Sequence, residues 1–239
     1  MSRRRTVRGP VVTCALIGLC CLAFLVSPVS GLDPAYGKGE ALLAAQSAYF
    51  QRWGIVPGQL TSGAPHALVT PLTALFVHGN WLHLLGNMLF LYVFGTMAEE
   101  RMGRLHFAVF YLVVGALAMS AYAVANAGSS QTLVGASGAI SGVLGAFLFL
   151  FPKARVTSLF PFLFFLPLRF PAWIVLLFWF ALQWLAQRQA QGAAGTGPEV
   201  AYLAHLVGFT CGFGYAAVRY LRPGRVNGQA VATEGERQP

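Results

Sequence analysis

Long apolar segments are the feature that most limits what this chain can fold into. Six of them come close to or exceed the roughly 20 residues that a helix needs to cross the hydrocarbon core of a bilayer. They are 11–29, 72–97, 105–127, 134–151, 171–186 and 200–221. Only 10% of the 239 residues are charged, whereas a soluble domain carries about 25%. The sequence therefore predicts an all-α, polytopic membrane protein with six membrane-spanning helices.

The basic residues indicate which side of the membrane each loop occupies. If residues 1–10 are cytoplasmic, only Lys38, Arg52 and Arg188 of the 16 Lys and Arg residues lie on the outer side. An excess of Lys and Arg is typical of cytoplasmic loops. We therefore expect both termini in the cytoplasm, and the lack of organelle-targeting features favours a bacterial inner (plasma) membrane. The net charge of +9 comes from short clusters between apolar runs, so nucleic-acid binding is not expected.

The first apolar segment has an alternative interpretation. Four arginines before an apolar core also describe a secretory signal peptide. The core of 11–29 is long for a signal peptide, however, and the small residues near Ser30 form a poor cleavage site. We favour a retained span. Cleavage would leave the orientation of the other five spans unchanged.

The segment 156–168 is also ambiguous, because it is apolar and aromatic but short. Pro161 and Pro167 interrupt it, which favours an interfacial or re-entrant piece over an ordinary span. If it crossed the membrane, the following two spans would reverse, and His205 would lie in the leaflet opposite Ser137.

Two further segments lie outside the spans. Residues 30–71 form a long outer loop, in which 40–53 is predicted to be an amphipathic helix before the turn-like Pro57-Gly58. The loop is either a cap over a site or a plain connector. The tail 222–239 is polar and rich in Gly and Glu, so we expect it to be disordered and cytoplasmic.

Polar residues gather in the outer part of three predicted spans. His83 and Asn87 share one face of the second span, and His78 lies nearer the outer surface. Ser137 is about one turn into the fourth span, and His205 about one turn into the sixth. A serine hydroxyl becomes a useful nucleophile when an imidazole can take its proton. The sequence therefore predicts a Ser137–His205 dyad, with His83, Asn87 and the Ser137 amide as donors to an oxyanion.

Neither the carboxylates nor the cysteines add a further catalytic or metal-binding group. None of the seven carboxylates lies inside a span near His205, and Glu199 belongs to a loop more than a turn away. The sequence therefore predicts a serine–histidine dyad without a third, acidic residue. Metal-ligand spacing is absent among the four cysteines, which are Cys14, Cys20, Cys21 and Cys211. We expect no metal, no cofactor and no disulfide.

Small residues predict close contact between the fourth and sixth spans. Gly138, Gly142 and Gly145 can face a set of small residues in the sixth span, which are Ala201, Ala204, Gly208 and Gly212. Taken alone, such a pattern indicates ordinary packing of membrane helices. Together with Ser137 and His205 it offers the close approach that a serine–histidine hydrogen bond requires.

Four blocks of sequence resemble the rhomboid intramembrane serine proteases, over roughly 68–221. The segment 78–87, with the letters HGNWLHLLGN, looks like the family's second-helix motif, and 99–103 resembles the charged turn that follows it. Gly135-Ala136-Ser137-Gly138 resembles the nucleophile motif, and 201–208 the catalytic histidine motif. The blocks occur in the family's order.

The resemblance implies a rhomboid-like six-helix bundle with a water-filled cavity open to the outside. It implies cleavage of other membrane proteins in or near their membrane segments. We expect the substrates to be single-span membrane proteins, with the lipid bilayer as the other partner. By this likeness Ser137 is the nucleophile and His205 the general base and then acid. The oxyanion and substrate-binding region comprises His83, Asn87 and the Ser137 amide, with Gly135 and Ala136 beside it. His78 supports the fold or the hydrogen-bond network, and no metal or cofactor is implied.

The sequence departs from the family pattern at two places. Many members carry an aromatic residue one turn after the nucleophile, stacked on the catalytic histidine, whereas this chain has Ser141. The orientation of His205 must then come from another group, and Tyr202 and Trp81 are the candidates. Val69-Thr70 also replaces a Trp-Arg pair of the outer loop, so the anchoring of that loop is expected to differ.

Two other functions compete with proteolysis. One is a catalytically silent relative that binds client helices, and the retained Ser137, His205, His83 and Asn87 argue against it. The other is a small-solute transporter with a polar path through the same residues. Transporters of that kind are built from duplicated halves, and the sequence shows no internal repeat.

Overall fold

The computed structural model describes residues 9–160, 166–192 and 201–221. The predictions for the disordered tail 222–239 and for nearly all of the cytoplasmic segment 1–10 lie outside the described residues. The helices are α1 Val11–Leu25, α2 Glu40–Trp53, α3 Pro57–Thr61, α4 Thr70–Thr73, α5 Trp81–Phe90, α6 Thr96–Met102, α7 Arg104–Ala125, α8 Ser137–Leu150, α9 Ala172–Gly192 and α10 Tyr202–Tyr220. A π-helical turn, Leu91–Gly95, joins α5 to α6. Short 3-10 turns are Pro28–Ser30, Pro34–Tyr36, Pro65–Val69 and Ala74–Phe76.

Helix α8 occupies the centre of the bundle. Every residue from Gly138 to Phe147 is buried, which is the behaviour expected of a helix that is apolar on all sides. Helices α7, α9 and α10 pack against it, and so does the π-helical turn. The first residue of this central helix, Ser137, is therefore surrounded by other elements of the bundle.

Helices α8 and α10 touch along their backbones. A Cβ atom added at Gly208 would overlap the carbonyl oxygen of Gly138, and one added at Gly212 would overlap that of Gly142. The contacts advance by four residues on both helices, so α8 and α10 run parallel. The predicted contact between small residues of these two spans is confirmed, and it brings the two N-termini to the same level.

Several helix boundaries differ from the predicted spans. The predicted start of the second span at position 72 is wrong, because the helix begins at Trp81, where the Asn80 side chain accepts a hydrogen bond from the His83 amide at 2.8 Å. Such a cap defines a helix N-terminus. His78 consequently precedes the helix instead of lying on it. Ser137 is likewise the first residue of α8, not one turn inside it. The predicted helix 40–53 is confirmed as α2.

Length and hydropathy identify fewer spans than the sequence analysis did. Within the described residues, two helical segments are long and apolar enough to cross a bilayer, Trp81–Met102 and Arg104–Ala125. Three more apolar helices are shorter: Val11–Leu25, Ser137–Leu150 and Ala172–Leu185. The protein is thus a mostly helical bundle, and the count of six crossings stays a prediction.

A β-hairpin stands where the sequence suggested an interfacial or re-entrant piece. Strands β1 Arg155–Phe160 and β2 Leu166–Pro171 pair antiparallel, and the Ala172 amide donates to the Ala154 carbonyl oxygen at 2.8 Å. The chain therefore leaves α8 and enters α9 at the same level. The all-α expectation is correct for the bundle and misses this hairpin, whose flanking prolines and β-branched residues do not favour a helix.

The loop 30–71 is tied to the segment that precedes α8. Ile55 and Leu133 form an isolated antiparallel bridge, and the Gly58 amide donates to the Ser129 carbonyl oxygen at 3.0 Å. Thr70 occupies one of the two positions where many family members have a Trp-Arg pair. It is buried, and its hydroxyl donates a hydrogen bond to the Ala67 carbonyl oxygen. The bridge between Ile55 and Leu133 anchors the loop through its backbone, close to the segment that leads into Ser137.

A buried carboxylate fixes the start of α1. Glu99 is 3% exposed, and its two oxygens accept hydrogen bonds from the Val12 amide at 3.0 Å and from the amide and hydroxyl of Thr13 at 2.7 and 2.8 Å. Free N–H groups at a helix N-terminus attract a negative charge. Glu99 therefore caps α1 from α6 and ties the N-terminus of α1 to that helix.

Removal of this cap is expected to destabilise the fold. Glu99→Ala leaves three donors at the start of α1 without an acceptor, two of them buried, which costs about 3 kcal/mol or more of unfolding free energy. For a chain of this size the midpoint of thermal unfolding in detergent should fall by roughly 10 °C. The neighbouring Glu100 is exposed, so Glu100→Ala is the matched control and should leave the midpoint unchanged. Equal midpoints for the two variants would contradict the capping role.

Candidate active site

Ser137 and His205 meet at the aligned N-termini of α8 and α10. Ser137 is the first residue of α8 and His205 lies in the first turn of α10. His205 Nε2 and Ser137 Oγ are 2.8 Å apart. This is an ordinary hydrogen-bond distance, and it is the geometry that a hydroxyl needs in order to pass its proton to an imidazole. The structure therefore brings together the two groups that the sequence singled out from distant segments.

His83 faces Ser137 with its Nε2 edge. The Gly79 amide donates to His83 Nδ1 at 3.4 Å, and because an amide N–H can only donate, the proton of the neutral ring is on Nε2. A Cβ atom at Gly135 would lie 2.9 Å from His83 Nε2 and 3.7 Å from Ser137 Oγ. Gly135 also has φ of +126°. Glycine thus fits both the backbone conformation and the space that the ring of His83 fills.

Asn87 adds a second donor beside His83. Its Nδ2 donates to the His83 carbonyl oxygen at 2.8 Å, which uses one of the two amide hydrogens. The residue is buried and lines the same cavities as Ser137. The second hydrogen of Nδ2 is therefore available to an oxygen atom bound there.

The backbone at the start of α8 supplies further donors. The first backbone bond that closes α8 runs from the Ile140 amide to the Ala136 carbonyl oxygen at 3.0 Å. The Ser137 amide precedes it and has no acceptor within the helix. Ala136 itself is fully buried, so its place is behind the cavity, at the N-cap of α8. Gly135 and Ala136 shape the site through the backbone, whereas the Ser137 amide can contact a ligand.

Two cavities meet at the proposed dyad and the two donor side chains beside it. One has a volume of about 340 Å³ and a mainly apolar lining, which includes Leu82 and Phe90 of α5 and Trp179 of α9. The other has a volume of about 680 Å³ and lies under α2, with Ser47 and Thr132 in its lining. Both cavities contact the same four residues, which are His83, Asn87, Ser137 and His205. A mainly apolar approach and a more polar approach therefore meet at the Ser137 hydroxyl.

His78 lies behind His83, on the side of that ring away from Ser137. It is 1% exposed, its Nδ1 donates to the Phe76 carbonyl oxygen at 3.3 Å, and its ring contacts the ring of His83 edge to face at 5.4 Å. Its position supports the ring of His83 from behind. The supporting role that the resemblance implies for His78 stays a prediction.

The residues that hold His205 were not predicted from the sequence. Gln183 Oε1 lies 2.7 Å from His205 Nδ1, and the ring of Trp179 lies 6.0 Å from the imidazole. Of the two expected candidates, Tyr202 contacts the imidazole edge to face at 6.4 Å. Trp81 does not, because it packs on Phe24 instead. A polar amide in the apolar stretch 172–185 was the available signal, since such groups need a partner in a membrane.

Comparison with known proteins points to one family. Residues 65–222 match the family model described as the Rhomboid domain. The chain is 34% identical over 144 residues to Rhomboid protein 1, mitochondrial, of Saccharomyces cerevisiae, which covers 59% of this chain and 38% of that protein. It is 31% identical over 188 residues to RHOMBOID-like protein 1 of Arabidopsis thaliana, covering 78% of this chain and 43% of the relative.

A third relative is Rhomboid-like protein 11, chloroplastic, of Arabidopsis thaliana, at 42% identity over 74 residues, which are 30% of this chain and 25% of the relative. The chain spans less than half the length of each of these three curated relatives. The family match covers most of the helical bundle, including every residue of the candidate site. The chain therefore belongs to the rhomboid family of membrane proteins.

Proposed function

We propose that this protein is an intramembrane serine endopeptidase with a Ser137–His205 dyad. The observation that carries the proposal is the 2.8 Å hydrogen bond between Ser137 Oγ and His205 Nε2, at the point where two cavities meet. Membership of the rhomboid family supports the same activity. A protein that only binds client helices has no need of a hydroxyl aligned with an imidazole nitrogen.

In the first step the hydroxyl attacks the scissile carbonyl. Ser137 Oγ forms a bond to the carbonyl carbon while its proton passes to His205 Nε2. The carbonyl oxygen becomes an oxyanion, which the Ser137 amide, His83 Nε2–H and Asn87 Nδ2–H stabilise. One such donor is often worth about 3 kcal/mol of barrier. The positive end of the α8 dipole favours the same charge.

In the second step the intermediate collapses and water completes the reaction. The C–N bond breaks, and the proton on His205 Nε2 passes to the leaving amine, which leaves an acyl group on Ser137. A water molecule from the cavity under α2 then gives a proton to His205 Nε2 and attacks the acyl carbon. The bond from that carbon to Ser137 Oγ breaks, Oγ takes the proton back from His205, and the carboxylic acid product leaves. The polar lining around Ser47 and Thr132 suits the entry of water. No metal or cofactor takes part in this scheme.

The substrates we propose are single-span membrane proteins. The apolar lining of the smaller cavity, with Leu82, Phe90 and Trp179, suits a segment that arrives from the bilayer. A helical peptide bond is shielded by its own hydrogen bonds, so small or helix-breaking residues near the scissile bond should favour cleavage. We further propose cleavage near the outer leaflet of a cell inner membrane, with both termini cytoplasmic, because the basic residues gather in the predicted inner loops.

Labelling with a fluorophosphonate probe tests the proposal. Purified protein in detergent is expected to gain one probe adduct, and peptide mapping should place it on Ser137, because only an activated hydroxyl reacts readily. Heat-unfolded protein should gain none. Ser47 lines the same polar cavity and serves as an internal control that should stay unlabelled. An adduct on another residue, or none on folded protein that also fails to cleave membrane substrates, would favour a catalytically silent binder of client helices.

A further inference from the structure

The side chain of Gln183 completes a chain of hydrogen bonds that starts at Ser137. Ser137 Oγ bonds to His205 Nε2 at 2.8 Å, and His205 Nδ1 bonds to Gln183 Oε1 at 2.7 Å. Gln183 comes from α9, whereas the dyad comes from α8 and α10. Three separate helices therefore contribute to one linear arrangement of hydroxyl, imidazole and carboxamide.

The carboxamide oxygen determines which nitrogen of His205 carries the proton. An amide oxygen can only accept a hydrogen bond, so His205 Nδ1 must donate to it. The neutral ring then has its lone pair on Nε2, the atom that faces Ser137. The opposite tautomer would present an N–H to the hydroxyl and could not take its proton. The bond to Gln183 thus selects the form of His205 that can act as a base.

Contacts from α9 also fix the plane of the imidazole. Trp179 lies one helical turn before Gln183 on the same face of α9, and its ring is 6.0 Å from the His205 ring. Ser141 stands where an aromatic residue was expected to stack on His205, and its hydroxyl donates to the Ser137 carbonyl oxygen at 2.6 Å instead. In this chain the groups that orient His205 therefore come from α9, where an aromatic residue of α8 was expected.

A neutral acceptor suits a site inside a membrane bundle. A carboxylate at the same place would hold the imidazolium more strongly, but an unpaired charge is costly to bury whenever the ring is neutral. A carboxamide has no such cost and still accepts the Nδ1 hydrogen. This accounts for a dyad that works without an acidic residue.

We propose that Gln183 is a positioning residue, which holds His205 in the Nδ1–H tautomer with Nε2 directed at Ser137. The inference rests on the proposed protease function and deepens it. Gln183 touches His205 alone among the dyad residues, so its effect is exerted through the histidine. Within the part of the chain that the structure describes, the other titratable groups that face the imidazole are His83 from α5 and Tyr202 from α10.

The test compares three variants in reconstituted vesicles with a fluorogenic transmembrane substrate. Gln183→Leu keeps the side-chain volume and removes the acceptor, so kcat should fall roughly 100-fold with KM within about twofold, because only the base is impaired. Gln183→Glu keeps an acceptor and should restore most of kcat. The matched control is Gln59→Leu, which removes a Gln–His pair with His66 at 3.1 Å on the exposed outer loop and should not change the rate.

The pH profile separates positioning from a merely structural role. In Gln183→Glu a negative charge beside the ring favours the imidazolium, so the acidic limb of the rate profile should move to higher pH. Wild-type rates in Gln183→Leu, or an unshifted profile in Gln183→Glu, would overturn the inference while leaving the protease assignment intact. If Gln183→Leu does not fold, the pH profile of the cleavage rate in Gln183→Glu still tests whether Gln183 positions His205. Failure of the wild type to cleave or to be labelled at Ser137 would instead refute the proposed function.

Discussion

Ser137→Ala is expected to lower the rate of substrate cleavage in vesicles by at least about 10⁴-fold, because it removes the hydroxyl that we propose as the nucleophile. Ser137 Oγ is the atom placed 2.8 Å from His205 Nε2. His205→Ala should cause a loss of similar size, since the unassisted hydroxyl keeps its proton. The double variant should be no slower than either single variant, because the two residues act as one unit.

The control variants carry the same substitutions away from the site. Ser62 and His66 are exposed in the loop 30–71, so Ser62→Ala and His66→Ala should cleave at the wild-type rate. The thermal unfolding midpoint of Ser137→Ala should match that of the wild type, which separates a loss of chemistry from a loss of folding. Unchanged turnover in Ser137→Ala would refute the protease assignment.

Asn87→Ala should produce an intermediate result. It removes one oxyanion donor and leaves the dyad in place, so activity should fall roughly 100-fold without vanishing. Asn87 Nδ2 also bonds to the His83 carbonyl oxygen, and that bond lies within one helix, so the fold should survive. A full rate in this variant would exclude Asn87 from the oxyanion site.

The pairing of Ser137 with His205 could be predicted from sequence because it depends on coarse physical features. Runs of apolar residues locate the helices, the basic loops orient them, and small residues such as Gly208 and Gly212 require close helix contact. These features place the starts of the fourth and sixth spans at one level. The motif blocks then identify which polar residues share that level.

The finer features could not be predicted because apolar composition alone does not distinguish helix from other buried structure. Residues 72–80 are largely apolar, yet they form short turns before the cap at Asn80. Residues 155–160 and 166–171 pair as the strands of a hairpin for a similar reason. Gln183 was missed because one amide in an apolar helix shows no partner until the helix is placed beside α10.

Gly212→Ala is expected to abolish most activity by forcing α10 away from α8. A Cβ atom at Gly212 would overlap the backbone of Gly142, and real side chains do not approach a backbone so closely. The helices must therefore separate at this level. They run parallel, and the next contacts toward the site, Gly138 with Gly208, are equally close. Separation is consequently transmitted to Ser137 and His205.

A small displacement at the dyad is sufficient for a large effect. The bond from Ser137 Oγ to His205 Nε2 measures 2.8 Å, and a shift of about 1 Å from the reactive geometry can cost about 100-fold in rate. We therefore expect Gly212→Ala to lose at least roughly 100-fold in kcat. Fluorophosphonate labelling of Ser137 should slow in parallel, since it depends on the same proton transfer.

Gly214→Ala provides the matched control on the same helix. No atom lies within 4 Å of a Cβ added at Gly214, so the new methyl group meets no neighbour. Replacement of a helical glycine by alanine favours the helix by about 1 kcal/mol at either position, and Gly214→Ala should keep full activity with an equal or higher unfolding midpoint. Gly212→Ala should lower the midpoint despite the same helical gain. Wild-type behaviour of Gly212→Ala would mean that α8 and α10 do not touch along this seam, and the alignment of Ser137 with His205 would then need another cause.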